Sequence, residues 1–193
     1  YDTFHPCDDA GRMFFEDTLK TNICAGKKVL DVGTGTGFLA EICCECGYEV
    51  TGIDISVEMI NNAIKKAENK KLEITYQTFD GENYGFESES FDAVVSSRVL
   101  WTIVDPENVL KEWYRILRKD GVMIAFTTIG KRNVSKKRCY GEKIDYDMFY
   151  FKNCDENGIK CIFAKMGFKD IKINYVSDDY NAERRAGCVI ARK

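Results

Sequence analysis

A chain of 193 residues, 45% apolar and 31% charged, suits one globular domain with a single sizeable core. Its net charge of −3 offers no electrostatic attraction for nucleic acid or an anionic membrane, and no apolar run approaches a bilayer span. Nine cysteines, irregularly spaced and with no secretory leader in view, are expected to be reduced thiols of a cytoplasmic protein rather than a disulfide framework.

In chain order, residues 1–26 form a leading segment, with an amphipathic helix expected across about 10–22 that carries Phe14, Phe15, Thr18 and Leu19. His5, the one histidine, precedes it. Val29 to Val32 read as a short buried strand with Asp31 near its carboxyl end. Gly33, Gly35 and Gly37 then alternate with Thr34 and Thr36, and a helical pattern runs from Phe38 to Gly47, which ends it. A strand that turns through glycines into a helix opens a nucleotide-binding βαβ unit, because glycine tolerates unusual φ/ψ and lets a ligand touch the backbone. The dinucleotide fingerprint needs a further glycine where Phe38 stands, and no Gly-Lys-Ser/Thr follows to make a phosphate loop. Cys43, Cys44 and Cys46 close that helix without a second cysteine pair or a histidine. They read as small apolar packing, and no metal site is expected.

The second strand spans Tyr48 to Asp54, and Ser56 caps a helix whose inner face is expected to hold Met59, Ile60, Ala63 and Ile64. Leu72 to Phe79 make a third strand, followed by Asp80-Gly81-Glu82-Asn83, a turn by composition. Ser90 to Ser97 are the fourth strand, with Arg98 and Trp101 just past its tip. Asp105-Pro106 starts a helix bearing Val109, Leu110, Trp113, Ile116 and Leu117, expected to end at Asp120-Gly121 before a fifth strand, Val122 to Phe126. Residues 128–153 break the alternation with a basic run, Lys131 to Arg138, and then Tyr140, Tyr146, Phe149, Tyr150 and Phe151. A helix over about 155–166, a strand from Lys169 to Val176 and a last strand from Gly187 to Arg192 complete the chain.

Taken together, the Asp-x-Gly-x-Gly-x-Gly run, Asp54, Asp80-Gly81 and the Ser90–Val122 stretch resemble the class I S-adenosylmethionine-dependent methyltransferases. The likeness covers residues 27–127 by ordered motifs and 154–193 by element order. It implies an α/β, three-layer doubly wound fold. Its seven-stranded, mostly parallel sheet would have order 3-2-1-4-5-7-6 with the last strand antiparallel. A single domain is implied: a cap segment (1–26), a cofactor-binding core (27–127), an acceptor-side lid (128–153) and a C-terminal helix and hairpin (154–193).

The resemblance further implies S-adenosylmethionine as cofactor. Gly33, Thr34, Gly35 and Gly37 would face its methionine part, with Asp31 near the amino group. Asp54 would hold the ribose, Ile55 and Met59 would wall the adenine, and Asp80 and Gly81 would meet the adenine edge. Ser97 and Arg98 would stand at the mouth, Arg98 steadying a carboxylate of cofactor or acceptor. Direct in-line transfer to a small-molecule acceptor needs no fixed catalytic residue. If the acceptor must lose a proton, His5, Tyr140 and Tyr146 are the candidate bases. No nucleic-acid or membrane partner is expected, and the state is a monomer or homodimer. Two departures stand out: Gly81 replaces the family's alanine, and Arg118-Lys119-Asp120-Gly121 lacks the proline of its Lys-Pro-Gly-Gly turn. Two rival readings are a methyltransferase-like binding protein without catalysis and an NAD-dependent oxidoreductase. Phe38 and Asp80-Gly81 argue against the latter.

Overall fold

Each apolar run pairs with the next into one sheet. In the computed structural model, which describes residues 9–24, 26–81, 83–129, 155–176 and 185–193, seven strands lie in the order β3-β2-β1-β4-β5-β7-β6. They are β1 (Lys28–Val32), β2 (Glu49–Asp54), β3 (Ile74–Thr78), β4 (Phe91–Ser97), β5 (Leu117–Ile129), β6 (Lys169–Tyr175) and β7 (Arg185–Arg192). The first five pair in parallel, and β7 runs antiparallel to both β5 and β6. The helices are α1 (Asp9–Asn22), α2 (Phe38–Glu45), α3 (Val57–Lys70), α4 (Pro106–Ile116) and α5 (Glu156–Lys165). None among the described residues is long and apolar enough to cross a membrane.

Alternate residues of each strand point to opposite faces, so one sheet carries two cores. Val29, Val95 and Ile124 pack with Phe15 and Leu19 of α1 and with Leu39, Ile42 and Cys43 of α2. Leu30, Val94 and Met123 pack with Leu110 and Trp113 of α4 and with Ile159 and Phe163 of α5. Central strands covered on both faces must be nearly all apolar, which is why β4 and β5 carry continuous apolar runs. Cys43 is fully buried in the first of these cores, in keeping with packing.

Three local expectations differ from what is seen. Helix α4 ends at Ile116 rather than near Gly121, because buried Leu117 is already drawn into the sheet opposite Phe91. The Asp120-Gly121 pair is a left-handed step inside β5 (Asp120 φ 62°), where the β4–β5 register shifts. On α3, Ile60, Ala63 and Ala67 form the buried face, and Ile64 is 37% exposed, one step around the helix from it. Strand β3 begins at Ile74, two residues later than the sequence suggested, and lies at the sheet edge with its side chains half-covered.

Trp113, among the largest fully buried side chains, donates its indole N–H to the Tyr84 hydroxyl at 3.0 Å. Tyr84→Phe strands that N–H in the core, at about 1–2 kcal/mol. Thermal unfolding followed by circular dichroism should show a fall of about 2–4 °C for each kcal/mol lost. An unchanged midpoint would mean the bond contributes nothing net.

Candidate active site

The carboxyl ends of β1, β2 and β4 meet at the glycine loop, and sterics set its shape. At Gly33 (φ 69°) an added Cβ would lie 2.3 Å from Val99 Cγ2, just past β4. At Gly37 (φ 86°) it would lie 2.4 Å from the Tyr76 hydroxyl on β3. The loop is thus wedged between two side chains that tolerate no methyl group there. Phe38, which stands where a dinucleotide loop would need glycine, opens α2 and meets Phe15 edge-on at 5.5 Å between ring centroids.

Hydrogen bonds then fix the loop. Thr34 N–H donates to Ile53 O, Gly35 N–H to Asp54 Oδ2 and Gly37 N–H to Thr34 O, each at 2.9 Å. Asp54 Oδ1 accepts from Ser56 N–H, also at 2.9 Å. Asp54 therefore pins the β1 loop and the start of α3 while it lines the cleft, and each of its oxygens keeps a second lone pair for a ligand. The sequence pointed to the ligand-facing half of this role and missed the structural half.

Asp31 is buried, and its Oδ2 accepts from Thr34 Oγ1 at 2.7 Å. Its Oδ1 has no protein hydrogen-bond partner. Burial pushes the carboxyl up to about 7, opposed by the bonds from Thr34 and the Ala40 backbone and assisted by the charge of Asp54. An unpartnered buried carboxylate oxygen beside a cavity is costly unless a ligand donates to it. That small cavity, about 30 Å³, is lined by Asp31, Thr34, Thr36, Ser97 and Arg98 among others.

Beside it opens a cleft of about 940 Å³, whose wall runs from Gly33, Asp54 and Ile55 through Gly81 and Tyr84 to Val99 and the start of α4. Ile55 is 68% exposed at its rim, an apolar face without a partner that suits a planar ring. Gly81 (φ 93°) is part of the wall. Asp80, which the sequence pairs with it, and Met59, which the sequence pairs with Ile55, are not. Asp80 is exposed and its Oδ1 accepts from Asn83 N–H at 2.7 Å, closing a turn. Met59 is half-buried, with its N–H on the Ser56 cap at 3.3 Å. Val99 and Tyr84 were not foreseen as wall residues; no motif marks them, and only the fit against Gly33 and Trp113 reveals their place. None of the described α1 side chains lines the cleft. His5, Tyr140 and Tyr146 lie outside the described residues, as do most of the expected lid and the Trp101 side chain.

Such a crevice, at the point where strand order reverses in a doubly wound sheet, defines a nucleotide-type binding protein. Residues 30–125 match the methyltransferase domain family, and the chain belongs to the class I S-adenosylmethionine-dependent methyltransferases. A ubiquinone biosynthesis O-methyltransferase of Actinobacillus pleuropneumoniae is 36% identical over 117 residues, 58% of this chain and 50% of that protein. The chain thus spans about half the length of the curated relatives it matches. A structure of an S-adenosylmethionine-dependent methyltransferase from Aquifex aeolicus covers 96% of this chain and 93% of its own at 19% identity, with a TM-score of 0.73. The [4+2]-cyclase SpnF covers 95% of this chain and 80% of its own at 17% identity, with a TM-score of 0.76. At those identities the structural likenesses speak for the fold.

Proposed function

We propose that this protein transfers a methyl group from S-adenosylmethionine to a hydroxyl-bearing small molecule. The carrying observation is that three strand tips, with Asp31, Asp54 and Gly81, open into adjoining cavities. Their donor set suits the cofactor: an unpartnered carboxylate oxygen for an ammonium, a carboxylate with spare lone pairs for a diol, and a bare backbone beside Ile55 for a purine.

S-adenosylmethionine supplies the reactive methyl carbon on its sulfonium, so the protein need not activate a carbon of its own. In this reading Asp31 fixes the cofactor's amino-acid end and Asp54 its ribose, while Val99 and Ile55 hold its adenine. The remaining task is to align the acceptor oxygen, which can lower a barrier by roughly 7–11 kcal/mol. The Actinobacillus relative, an O-methyltransferase by name, supports an oxygen acceptor. The fold itself also serves a cyclase, so binding and transfer need separate readouts.

Incubation with methyl-labelled S-adenosylmethionine and a panel of small phenols, catechols and aliphatic alcohols should yield a labelled product and S-adenosylhomocysteine. Cofactor binding without transfer to any member would favour a binding protein instead. Binding of NAD in place of the cofactor would favour an oxidoreductase.

A further inference from the structure

We infer that the large cleft continues past the adenine into a second, apolar subsite along α4, which takes an uncharged hydrocarbon or aryl group carried on the purine's exocyclic amine. The subsite rests on the reading above for the placement of the purine. Three observations carry it: the direction of the cleft, the chemistry of its far walls and the position of Asp80.

Asp105 at the N-cap of α4, then Asn108, Val109 and Glu112, line the cleft together. That spacing is one face of a helix over two turns, about 10 Å along its axis. The cofactor lies across the strand tips, whereas α4 leads away from them, back toward the start of β5. This flank of α4 stays open because β3 passes to β4 with no α-helix among the described residues, leaving the 79–84 turn as the opposite wall. A cleft of about 940 Å³ lies near the top of the range, about 300–1,000 Å³, that encloses a whole drug-sized ligand, yet only the nucleoside belongs in this one.

The far walls are apolar. The rings of Phe79 and Tyr84 lie 4.9 Å apart between centroids, and Ile103 is buried beside them. Phe79 and Val109 pack on the core but are only half-buried, so each keeps a face for a ligand. The two acids make no cation site. Glu112 accepts from Arg115 with both oxygens, at 2.6 and 2.8 Å, and Asp105 accepts from the N–H and the side-chain amide of Asn108 at 3.1 and 2.7 Å. An uncharged group therefore gains by leaving water for this groove, while a charged one loses its hydration against charges already matched. At the neck stands Gly81, where even an added Cβ would meet a single neighbour within 4 Å, Ile55 Cγ2 at 3.6 Å. Asp80, which the family resemblance sets on the adenine's amino group, is not part of the wall, so a substituent on that amine has room to enter.

The test is calorimetric titration of the wild type and Val109→Phe with S-adenosylhomocysteine and with its derivative carrying a benzyl group on the adenine amine. The wild type should bind the benzyl ligand about tenfold more tightly, as expected for half-burying one ring. Val109→Phe fills the groove from the α4 side and should cancel that gain by weakening only the benzyl ligand. Asn108→Trp, at an exposed position on the same face, does the same if Val109→Phe does not fold. A wild type that binds the benzyl ligand no better than S-adenosylhomocysteine, or a gain that survives the filling, would overturn the subsite and leave the cofactor reading intact. Equal weakening of both ligands by the filling would set the purine itself against α4 and overturn the subsite as well. A wild type that binds neither ligand would overturn both.

Discussion

Asp54→Ala is expected to weaken S-adenosylhomocysteine binding about a hundredfold or more, roughly 3 kcal/mol. Loss of a carboxylate that accepts from a ribose diol would alone cost about 1–3 kcal/mol. Here the same two oxygens accept from Gly35 N–H and Ser56 N–H, so the substitution also releases the glycine loop and the start of α3. Binding and stability should fall together, the latter by about 1–2 kcal/mol. Titration calorimetry reads the first effect and urea unfolding the second. A folded Asp54→Ala protein with wild-type affinity would show that the ribose lies elsewhere.

Asp31→Asn should have opposite effects on stability and binding. In the folded protein the carboxyl is pushed up to about 7, well above the ordinary aspartate range, chiefly because burial disfavours its charge. A carboxyl raised in this way favours the folded state most below the unfolded value. That contribution is lost as pH climbs through the folded value, because the native state then holds a proton the unfolded chain has released. Above about pH 7 the buried charge is a standing cost, on the order of 2–4 kcal/mol from a shift of this size. The asparagine carries no charge and keeps an oxygen for Thr34 Oγ1. Urea unfolding should therefore show the wild type losing stability between pH 5 and 8 while the variant stays flatter and exceeds it at pH 8. The variant should also bind S-adenosylhomocysteine at least tenfold more weakly, having lost its charged partner for an ammonium. Parallel stability profiles would contradict the burial argument, and unchanged binding would remove Asp31 from the site.

These two residues show how far the chain could be read in advance. The glycine run, the acid at the end of β2 and the apolar strands are local signals tied to backbone geometry, and they carry the family resemblance that implies the sheet order and the crevice position. Asp54's grip on Gly35 joins residues from two different strand ends, and no single-chain pattern encodes it. Tyr84 and Val99 were invisible for the same reason: each becomes a wall residue only through what the fold brings against it. The sequence reads the Asp80-Gly81 pair as two contacts; Gly81 lines the cleft, while the Asp80 carboxylate closes a turn by accepting from Asn83 N–H. The end of α4 was misplaced because Asp120-Gly121 resembles a helix stop, whereas the burial of Leu117 favoured an early start to β5.

The placement of the adenosyl cofactor is best checked by a crystal structure with S-adenosylhomocysteine. We expect the ribose hydroxyls on Asp54, the adenine between Ile55 and Val99, and the amino group on the free oxygen of Asp31. A nucleoside lying in the reverse direction, or bound away from these strand tips, would contradict the assignment.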